Sequence, residues 1–332
     1  MKAYFLVFFA FVPLLVFAQK PSEKEISDWT KQAQQVEIIR DKWGIAHIYG
    51  QTDADAVFGM LYAQCEDDFR RIELNYIEKL GRLSEIQGEK SLYNDLQIRL
   101  LIDSTQAIND YKKAEPWMKK LLNAYADGIN FYLYKNSQVK PALLTNFKPW
   151  YPYLWTDGSI GAISTGNLTI AELKSFYTND HSPTGYILQI RDQFSGSNGF
   201  AFAPKMSKTG NAMLYINPHT TFYFRPEIHM QSQEGLNTYG AVTWGQFFIY
   251  QGFNEFCGWM HTSNNVDVAD MYAEKITNLN KTIYYTFDKK LYPIGKKNIE
   301  IKYLENGILK TKKFETQLVE KSETKRVENF DS

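Results

Sequence analysis

The first half of the chain carries mainly the apolar periodicity of helices. A short alternating segment, residues 36–50, predicts two strands joined by a turn. Directly after it, apolar residues recur at three- and four-residue steps, and Thr52 is the predicted N-cap because two acids follow it in the first turn. The same periodicity predicts helices at residues 92–111 and 117–134, with Pro116 at a first-turn position. The first half is therefore predicted to be mainly helical.

The second half changes to short alternating segments separated by glycine and asparagine. Before this change, an aromatic and proline-rich segment at 146–157 predicts an ordered loop, a helix is predicted at 157–176, and residues 177–196 are typical of an exposed connector. After it, strands are predicted at residues 199–203, 212–216, 238–250, 256–261, 282–293 and 298–304. The charged segment 315–332 contains no predicted helix or strand that would complete a domain, so we expect the β-rich second half to be incomplete.

Composition and charge narrow the class of protein. With 44% apolar and 15% aromatic residues, the chain can form a substantial core. Lys plus Arg and Asp plus Glu are both 37, so no net field attracts nucleic acid or an anionic membrane, and such partners are disfavoured. The two cysteines, Cys65 and Cys257, exclude a scaffold built from disulfides. We predict two buried free thiols, with a single bridge as the alternative.

The first residues predict export. Lys2 precedes an uncharged apolar run from Tyr4 to Ala18, and a small-residue site at Ala18 is followed by Gln19. This is the pattern of a secretory signal peptide cleaved after Ala18. The alternative, a membrane anchor, is disfavoured because about 15 apolar residues fall short of the roughly 20 that span a bilayer. We therefore expect a secreted or periplasmic protein that is free of the membrane once the signal is removed.

Four motifs carry the candidate chemistry, and they stand in order along the chain. They are GSNGFA at 196–201, NPH at 217–219, GFN at 252–254 and WMHT at 259–262, preceded by RDKWGIAHIYG at 40–50 and GRLSEIQG at 81–88. Together they resemble the penicillin acylase family of N-terminal nucleophile hydrolases. A glycine directly before the Ser-Asn pair, and the histidine of the NPH motif, are similar to the branch of acyl-homoserine-lactone, cephalosporin and aculeacin acylases.

The resemblance implies an α+β fold, the four-layer αββα arrangement of N-terminal nucleophile hydrolases, incomplete here and with a mainly helical first chain. Its division of the sequence would be a signal peptide at 1–18, a helical α-chain-like region at 19–176, a connector or propeptide at 177–196, and the truncated N-terminal part of the β-chain domain at 197–332.

The resemblance also implies that the precursor cuts its own chain between Gly196 and Ser197. A serine hydroxyl is a weak nucleophile at neutral pH, but a freed α-amino group, which titrates near about 7.7–8.0, can accept its proton. His219 would orient or polarise the serine and its amine, and the alternative is a structural histidine in a turn. The backbone N–H of Ser263 would be one donor to the developing oxyanion. The family's second donor, an asparagine, lies beyond this sequence, so we expect this chain alone to be inactive.

A structural calcium site is implied as well, while no cofactor is implied for catalysis. The matching positions are Asp267, Ala269 and Asp270, with Glu172 as a further ligand. Carboxylate and carbonyl oxygens are the ligands that Ca²⁺ takes, and a solvated acidic loop is the alternative. Two other histidines, His47 and His261, are predicted to be packed or hydrogen-bonded rather than catalytic.

The implied reaction is hydrolysis of a linear amide, with an acyl-enzyme on Ser197. The substrate would be a small N-acylated amine, either an acyl-homoserine lactone, a β-lactam side chain or a lipopeptide, so quorum quenching and antibiotic biosynthesis both remain open. The α and β chains released by self-cleavage would be each other's partners. Two rival hypotheses are a non-catalytic remnant of the fold, and a conventional hydrolase in which Ser197 and His219 act as a pair without cleavage.

Overall fold

The computed structural model describes residues 20–102, 104–154, 169–178, 196–219, 226–262, 274–280 and 282–319. The predicted signal peptide lies outside this part of the chain. Within it, helices dominate the first half, which also holds two strands, and strands dominate the second half, which confirms the α+β class predicted from the sequence. No helix in these segments is both long enough and apolar enough to cross a membrane.

Two of the helices start where the sequence predicts, one after its N-cap Thr52 and one at Pro116. The helices are α1 (Glu23–Ala33), α2 (Asp53–Lys79), α3 (Ser84–Gln87), α4 (Leu92–Leu101), α5 (Ser104–Lys113), α6 (Pro116–Lys135) and α7 (Ile170–Thr178), with 3₁₀ turns at Glu89–Ser91, Tyr151–Leu154 and Pro204–Met206. The hydroxyl of Thr52 accepts the N–H of Asp55 at 3.1 Å, and the Asp55 carboxylate accepts the N–H of Thr52 at 3.1 Å. This reciprocal box satisfies two amides at the start of α2. Pro116 is the first residue of α6, as predicted.

Helix α2 consists of two helical segments that meet at Asp68. This residue has φ −159° and ψ 71°, and its carboxylate accepts the N–H of Arg71 at 3.0 Å. Asp68 therefore acts as an N-cap for the second segment. The helix ends at Lys79, and Gly81, with φ +60°, supplies the left-handed backbone that often follows a helix end.

The strands of the described segments form one main sheet and several smaller units. The strands are β1 (Val36–Arg40), β2 (Ala46–Gly50), β3 (Gly196–Phe202), β4 (Met213–His219), β5 (Glu227–Ser232), β6 (Asn237–Ala241), β7 (Gln251–Phe253), β8 (Gly258–Trp259), β9 (Ile276–Leu279), β10 (Thr282–Phe287), β11 (Lys290–Pro293), β12 (Gly295–Glu305) and β13 (Ile308–Leu318). The main sheet has the order β1-β2-β5-β6-β7-β8. Neighbours are antiparallel except β2 and β5, which link the segment before Ser197 to the segment after it.

One face of the main sheet packs on α2, and α6 packs on α2 in turn. Ala46 and Ile48 of β2 are buried on that face. Gly59 allows the close approach of α2, because a Cβ at this position would lie 2.5 Å from Cγ1 of Val36 and 2.8 Å from Cγ2 of Ile48. Gly128 serves the same purpose in α6, where a Cβ would lie 2.4 Å from the carbonyl oxygen of Phe58. The core thus forms where the sheet packs on α2 and α2 packs on α6.

The remaining strands form smaller units. Strands β3 and β4 form a hairpin, β9 to β11 form a three-stranded sheet, and β12 and β13 form a second hairpin. This second hairpin buries Ile299, Ile301 and Phe314 against apolar residues of α4 and α7, including Leu96 and Leu173. Helices of the first half therefore contact strands from both ends of the second half.

Several predicted boundaries need correction. The strand predicted at 238–250 ends at Ala241, and residues 242–250 form an irregular loop. Strands β5, β7, β9 and β13 were not predicted, and β13 includes residues 315–318 of the predicted charged tail. The described part of the helix predicted at 157–176 begins at Ile170 and continues to Thr178, into the predicted connector. The rest of that connector, residues 179–195, lies outside the described part.

The cysteine prediction was correct for one residue and wrong for the other. Both thiols are free, so the alternative of a bridge is not realised. Cys65 is buried in α2, and burial raises the pKa of its thiol well above the usual value. Cys257 is exposed because it lies in the turn between β7 and β8.

The irregular loop 242–250 is held by side chains of α2. Nε2 of Gln64 donates to the carbonyl of Gln246 at 3.0 Å, and its Oε1 accepts the N–H of Gly245 at 2.9 Å. The hydroxyl of Tyr76 donates to the carbonyl of Gly245 at 2.6 Å. These bonds satisfy backbone groups that a strand would have paired with a neighbour, which explains why β6 does not continue.

Replacing Gly245 by Ala is expected to lower the free energy of unfolding by about 2–4 kcal/mol. Gly245 has φ +86°, and an added Cβ would lie 2.8 Å from the ring of Tyr76. Urea unfolding measures the change. The control is Gly210→Ala, because Gly210 has φ +72° but no atom within 4 Å of an added Cβ. Equal losses for the two variants would show that contact with Tyr76 contributes nothing.

Candidate active site

The hairpin β3–β4 carries both residues that the sequence placed at the centre of the chemistry. Gly196 lies opposite His219 and Ser197 lies opposite Pro218 in its antiparallel register. Ser197 is thus the second residue of β3, and the predicted cleavage bond is the first peptide bond of that strand. A cut at this point would release Ser197 at the start of an element that is already paired.

The imidazole of His219 contacts two asparagines in the unbroken hairpin. Its Nε2 lies 3.2 Å from Nδ2 of Asn198 and 3.1 Å from Oδ1 of Asn217. Successive side chains of a strand point to opposite faces, so these contacts place His219 on the face that carries Asn198. The side chain of Ser197 belongs to the other face. The structure therefore brings His219 to Asn198, while the register separates it from the Ser197 hydroxyl.

The backbone of Ser197 is held by the segment that follows β8. The hydroxyl of Thr262 donates to the carbonyl of Ser197 at 2.8 Å. Gly199 lies so close to Met260 that a Cβ on the glycine would be 1.7 Å from the methionine sulfur. A larger residue at position 199 would require the Met260 side chain or the hairpin to move. Gly199, the second glycine of the GSNG motif, therefore allows this close packing against Met260.

The four motifs meet at one end of the main sheet. Gly252 in β7 pairs with Trp259 in β8, and the intervening turn is shaped by Asn254. Its Oδ1 accepts the N–H groups of Phe256 and Cys257 at 2.9 and 2.8 Å. The GFN and WMHT motifs thus build the sheet edge on which the hairpin with the GSNG and NPH motifs docks.

The other predicted site residues are only partly described. Outside the described residues lie Ser263, Asp267, Ala269 and Asp270. Glu172 is exposed in the first turn of α7, where its Oε2 accepts the N–H of Thr169 at 2.9 Å and its hydroxyl at 2.8 Å. These bonds lower the pKa of the Glu172 carboxyl. Across the described segments, no group of three or more His, Cys, Asp or Glu side chains is arranged to hold a metal ion.

The structure adds contacts that the sequence did not predict. His261 stacks on Tyr250 with 4.5 Å between ring centroids, consistent with its predicted packing role. Nδ1 of His47 lies 3.1 Å from Nδ1 of His229, a residue that no motif had singled out. The bond from Thr262 to Ser197 was also missed, although Thr262 belongs to the WMHT motif. In both cases the partners are far apart in sequence: the pairing of β2 with β5 brings the histidines together, and the packing of the β3–β4 hairpin on the segment after β8 brings Thr262 to Ser197.

Comparison with known proteins adds an independent line of evidence. The family model described as penicillin amidase matches residues 35–318. Acyl-homoserine lactone acylase QuiP of Pseudomonas fluorescens is 23% identical over 312 residues, which cover 80% of this chain and 38% of the relative. Acyl-homoserine lactone acylase PvdQ of Pseudomonas syringae pv. tomato is 23% identical over 337 residues, or 91% of this chain and 43% of the relative. The chain spans less than half the length of these curated relatives.

A solved structure, the thermostable penicillin G acylase from Alcaligenes faecalis, matches 45% of this chain and 85% of its own, at 18% identity and a TM-score of 0.35. The family match is the stronger result, because residues 35–318 include every described strand and every helix except α1. On that match, which extends over well more than half of the sequence, the chain belongs to the penicillin amidase family.

Proposed function

We propose that the protein containing this chain is a self-cleaving acylase, which removes the acyl group from an N-acylated amine through an acyl-enzyme on Ser197. Its family membership and the relatives' acylase names support the reaction class. The observation that carries the self-cleavage is the register of β3–β4, which puts the imidazole of His219 and the side chain of Ser197 on opposite faces. A catalytic base must come within hydrogen-bonding reach of the proton it removes.

This register disfavours a conventional Ser197–His219 pair, because such a pair would require the hairpin to break. The α-amino group of Ser197 has no such requirement, since it belongs to the same residue as the hydroxyl. Self-cleavage therefore supplies a base without any change in the sheet. His219 then acts at the amine or through Asn198, which its Nε2 already contacts.

The proposed maturation requires only the chain itself and one water molecule. Oγ of Ser197 attacks the carbonyl carbon of Gly196, the peptide C–N bond breaks, and the serine proton moves to the released amine. Water then hydrolyses the resulting ester, which leaves a carboxylate on Gly196 and a free hydroxyl on Ser197. In turnover the amine takes the Oγ proton during attack on the substrate carbonyl and gives it to the leaving amine. The N–H of Ser263 is the proposed oxyanion donor.

Intact-mass measurement and N-terminal sequencing of the purified protein test this proposal directly. Cleavage yields a chain that begins Ser197-Asn198-Gly199, whereas either rival hypothesis leaves that bond intact. An unbroken protein that still hydrolyses amides would support the conventional pair. An unbroken protein without activity would support the non-catalytic remnant.

Acyl-homoserine lactones are the first substrates to test, because the similar relatives are named for them. N-acylated β-lactams and lipopeptides are the other members of the proposed class. Release of free homoserine lactone, detected as a new primary amine, distinguishes amide hydrolysis from opening of the lactone ring. The preferred substrate then decides between a role in quorum quenching and one in antibiotic biosynthesis.

A structural calcium ion and export complete the proposal. The capping bonds of Glu172 both use Oε2, so they are compatible with coordination of Ca²⁺ by Oε1. Asp267, Ala269 and Asp270 are the proposed further ligands, and equilibrium dialysis with Ca²⁺ tests the site. Export to the periplasm or medium predicts a mature chain that begins at Gln19.

Replacing Thr262 by Val is expected to slow both maturation and turnover about tenfold, with little change in KM. The Thr262 hydroxyl holds the carbonyl of Ser197, and a shift of the nucleophile costs rate even when binding is preserved. Rates of precursor disappearance and of amide hydrolysis are the measurements. Thr209→Val is the matched control, because Thr209 lies in the turn of the same hairpin. Unchanged rates in Thr262→Val would remove the positioning role.

A further inference from the structure

Two histidines meet on the face of the main sheet that is turned away from α2. His47 in β2 and His229 in β5 lie directly opposite each other in the parallel pair. Their Nδ1 atoms are 3.1 Å apart, and the rings meet edge to face with centroids 5.2 Å apart. Both side chains are half-buried, so the space between them is accessible from solvent.

Each ring has an oxygen atom near its outer nitrogen. Oδ2 of Asp41 lies 3.7 Å from Nε2 of His47, which is too long for a hydrogen bond, and Oδ1 of Asn237 lies 2.9 Å from Nε2 of His229. The Asn237 oxygen favours a hydrogen on Nε2 of His229, which leaves a lone pair on its Nδ1. Without a metal ion, the Nδ1–H of His47 can donate to this lone pair at 3.1 Å, and a bound metal ion would replace that hydrogen. Oxygen acceptors behind imidazoles are also the usual second layer of metal sites built from histidine.

The pair opens into a shallow cavity of about 400 Å³. Its lining includes Tyr239 and Glu255 in addition to the two histidines. The hydroxyl of Tyr239 donates to Glu227 at 2.8 Å, and burial together with this bond raises the pKa of Tyr239 to about 12. Tyr239 therefore stays neutral, and the cavity has room for water molecules next to the histidines.

We propose that His47 and His229 bind one divalent transition-metal ion of the Zn²⁺ and Cu²⁺ class through their Nδ1 atoms. Two nitrogens at about 2.0–2.1 Å from a tetrahedral zinc ion lie roughly 3.3–3.4 Å apart, and on a square-planar copper ion they lie roughly 2.8–3.0 Å apart. The observed 3.1 Å falls between these values. No third His, Cys, Asp or Glu in the described segments completes the group, so water fills the remaining positions.

The bound ion would join the two parts of the chain on either side of Ser197. His47 precedes the proposed cleavage point and His229 follows it. In the mature protein the metal would therefore link two separate polypeptides across β2 and β5. This consequence rests on the proposed function, whereas the metal binding itself does not, because both strands are paired in the unbroken chain.

Equilibrium dialysis of the full chain against ZnCl₂ and CuCl₂ tests the proposal. We expect one ion per chain with micromolar affinity, and CaCl₂ should not displace it because Ca²⁺ prefers oxygen ligands. His47→Gln and His229→Gln should each weaken binding at least about tenfold. His261→Gln is the matched control and should bind as the unmodified protein does.

The electron paramagnetic resonance spectrum of the Cu²⁺-loaded unmodified protein provides a readout that needs no variant. Hyperfine splitting from two equivalent imidazole nitrogens is expected. The proposal is overturned if no stoichiometric ion binds, if the spectrum shows fewer than two nitrogens, or if either His→Gln variant binds as tightly as the control. Because uncleaved protein suffices, failure of self-cleavage would leave this test unaffected.

Discussion

Ser197→Ala is expected to yield a single unprocessed chain with no amide hydrolase activity. The substitution removes the only atom that can attack the Gly196 carbonyl in the proposed scheme, so neither the ester nor the free amine forms. Loss of a nucleophile of this kind lowers turnover by a factor of about 10⁶. Denaturing electrophoresis and intact mass report processing, and release of a primary amine from an acyl-homoserine lactone reports activity.

Two companion variants separate the role of Ser197 from general damage. Ser207→Ala changes a serine in the turn of the same hairpin and should leave both processing and activity unchanged. Ser197→Cys should retain some processing, because a thiol is also a nucleophile, while amide turnover slows. A Ser197→Ala protein that is still cut before residue 197 would contradict the proposed chemistry.

Glu73→Ala is expected to lower the free energy of unfolding by about 3–5 kcal/mol, the largest stability effect that the structure predicts. Glu73 is buried in α2, and its carboxylate accepts the N–H groups of Ala142, Leu143 and Leu144 at 2.9, 2.7 and 2.8 Å. Removing it leaves three amides without their acceptor, and of their residues Leu144 is buried, Leu143 is half-buried and Ala142 is exposed. Urea unfolding followed by circular dichroism measures the loss.

Glu78→Ala supplies the control for this prediction, because Glu78 lies on the same helix and is only half-buried. Its substitution should cost less than about 1 kcal/mol. Glu73→Gln should fall between the two, since the amide oxygen can still accept while its NH₂ group faces a donor. Equal stability of the two alanine variants would show that the three amides find water instead.

Features that depend on neighbours in the sequence could be predicted from it. The turn between β1 and β2, the cap at Thr52 and the start of α6 at Pro116 all follow from residues within a few positions of each other. The motifs also led to the family, and through it to Ser197 and His219. Their proposed roles depend on chemistry that the unbroken chain does not display.

Features that depend on distant partners could not be predicted. Apolar and polar residues alternate at 242–250 as in a strand. The side chains of Gln64 and Tyr76 nevertheless donate to backbone carbonyl groups of this segment, so it does not pair with another strand. The face on which His219 lies follows from the register of β3 and β4, which no local pattern specifies. The contact between His47 and His229 likewise exists only because β2 and β5 pair in parallel.

The hydrogen bonds from α2 to the backbone of the loop 242–250 have a consequence for sequence variation among homologues. Gln64 and Tyr76 bind main-chain atoms of the loop, so these bonds do not themselves depend on which side chains the loop carries. Gly245 is fixed by its backbone angle and by the ring beside it, and most of the other side chains of the loop are buried. Homologous loops are therefore expected to vary most at the exposed Phe248, while the buried positions and the glutamine and tyrosine of the helix are retained.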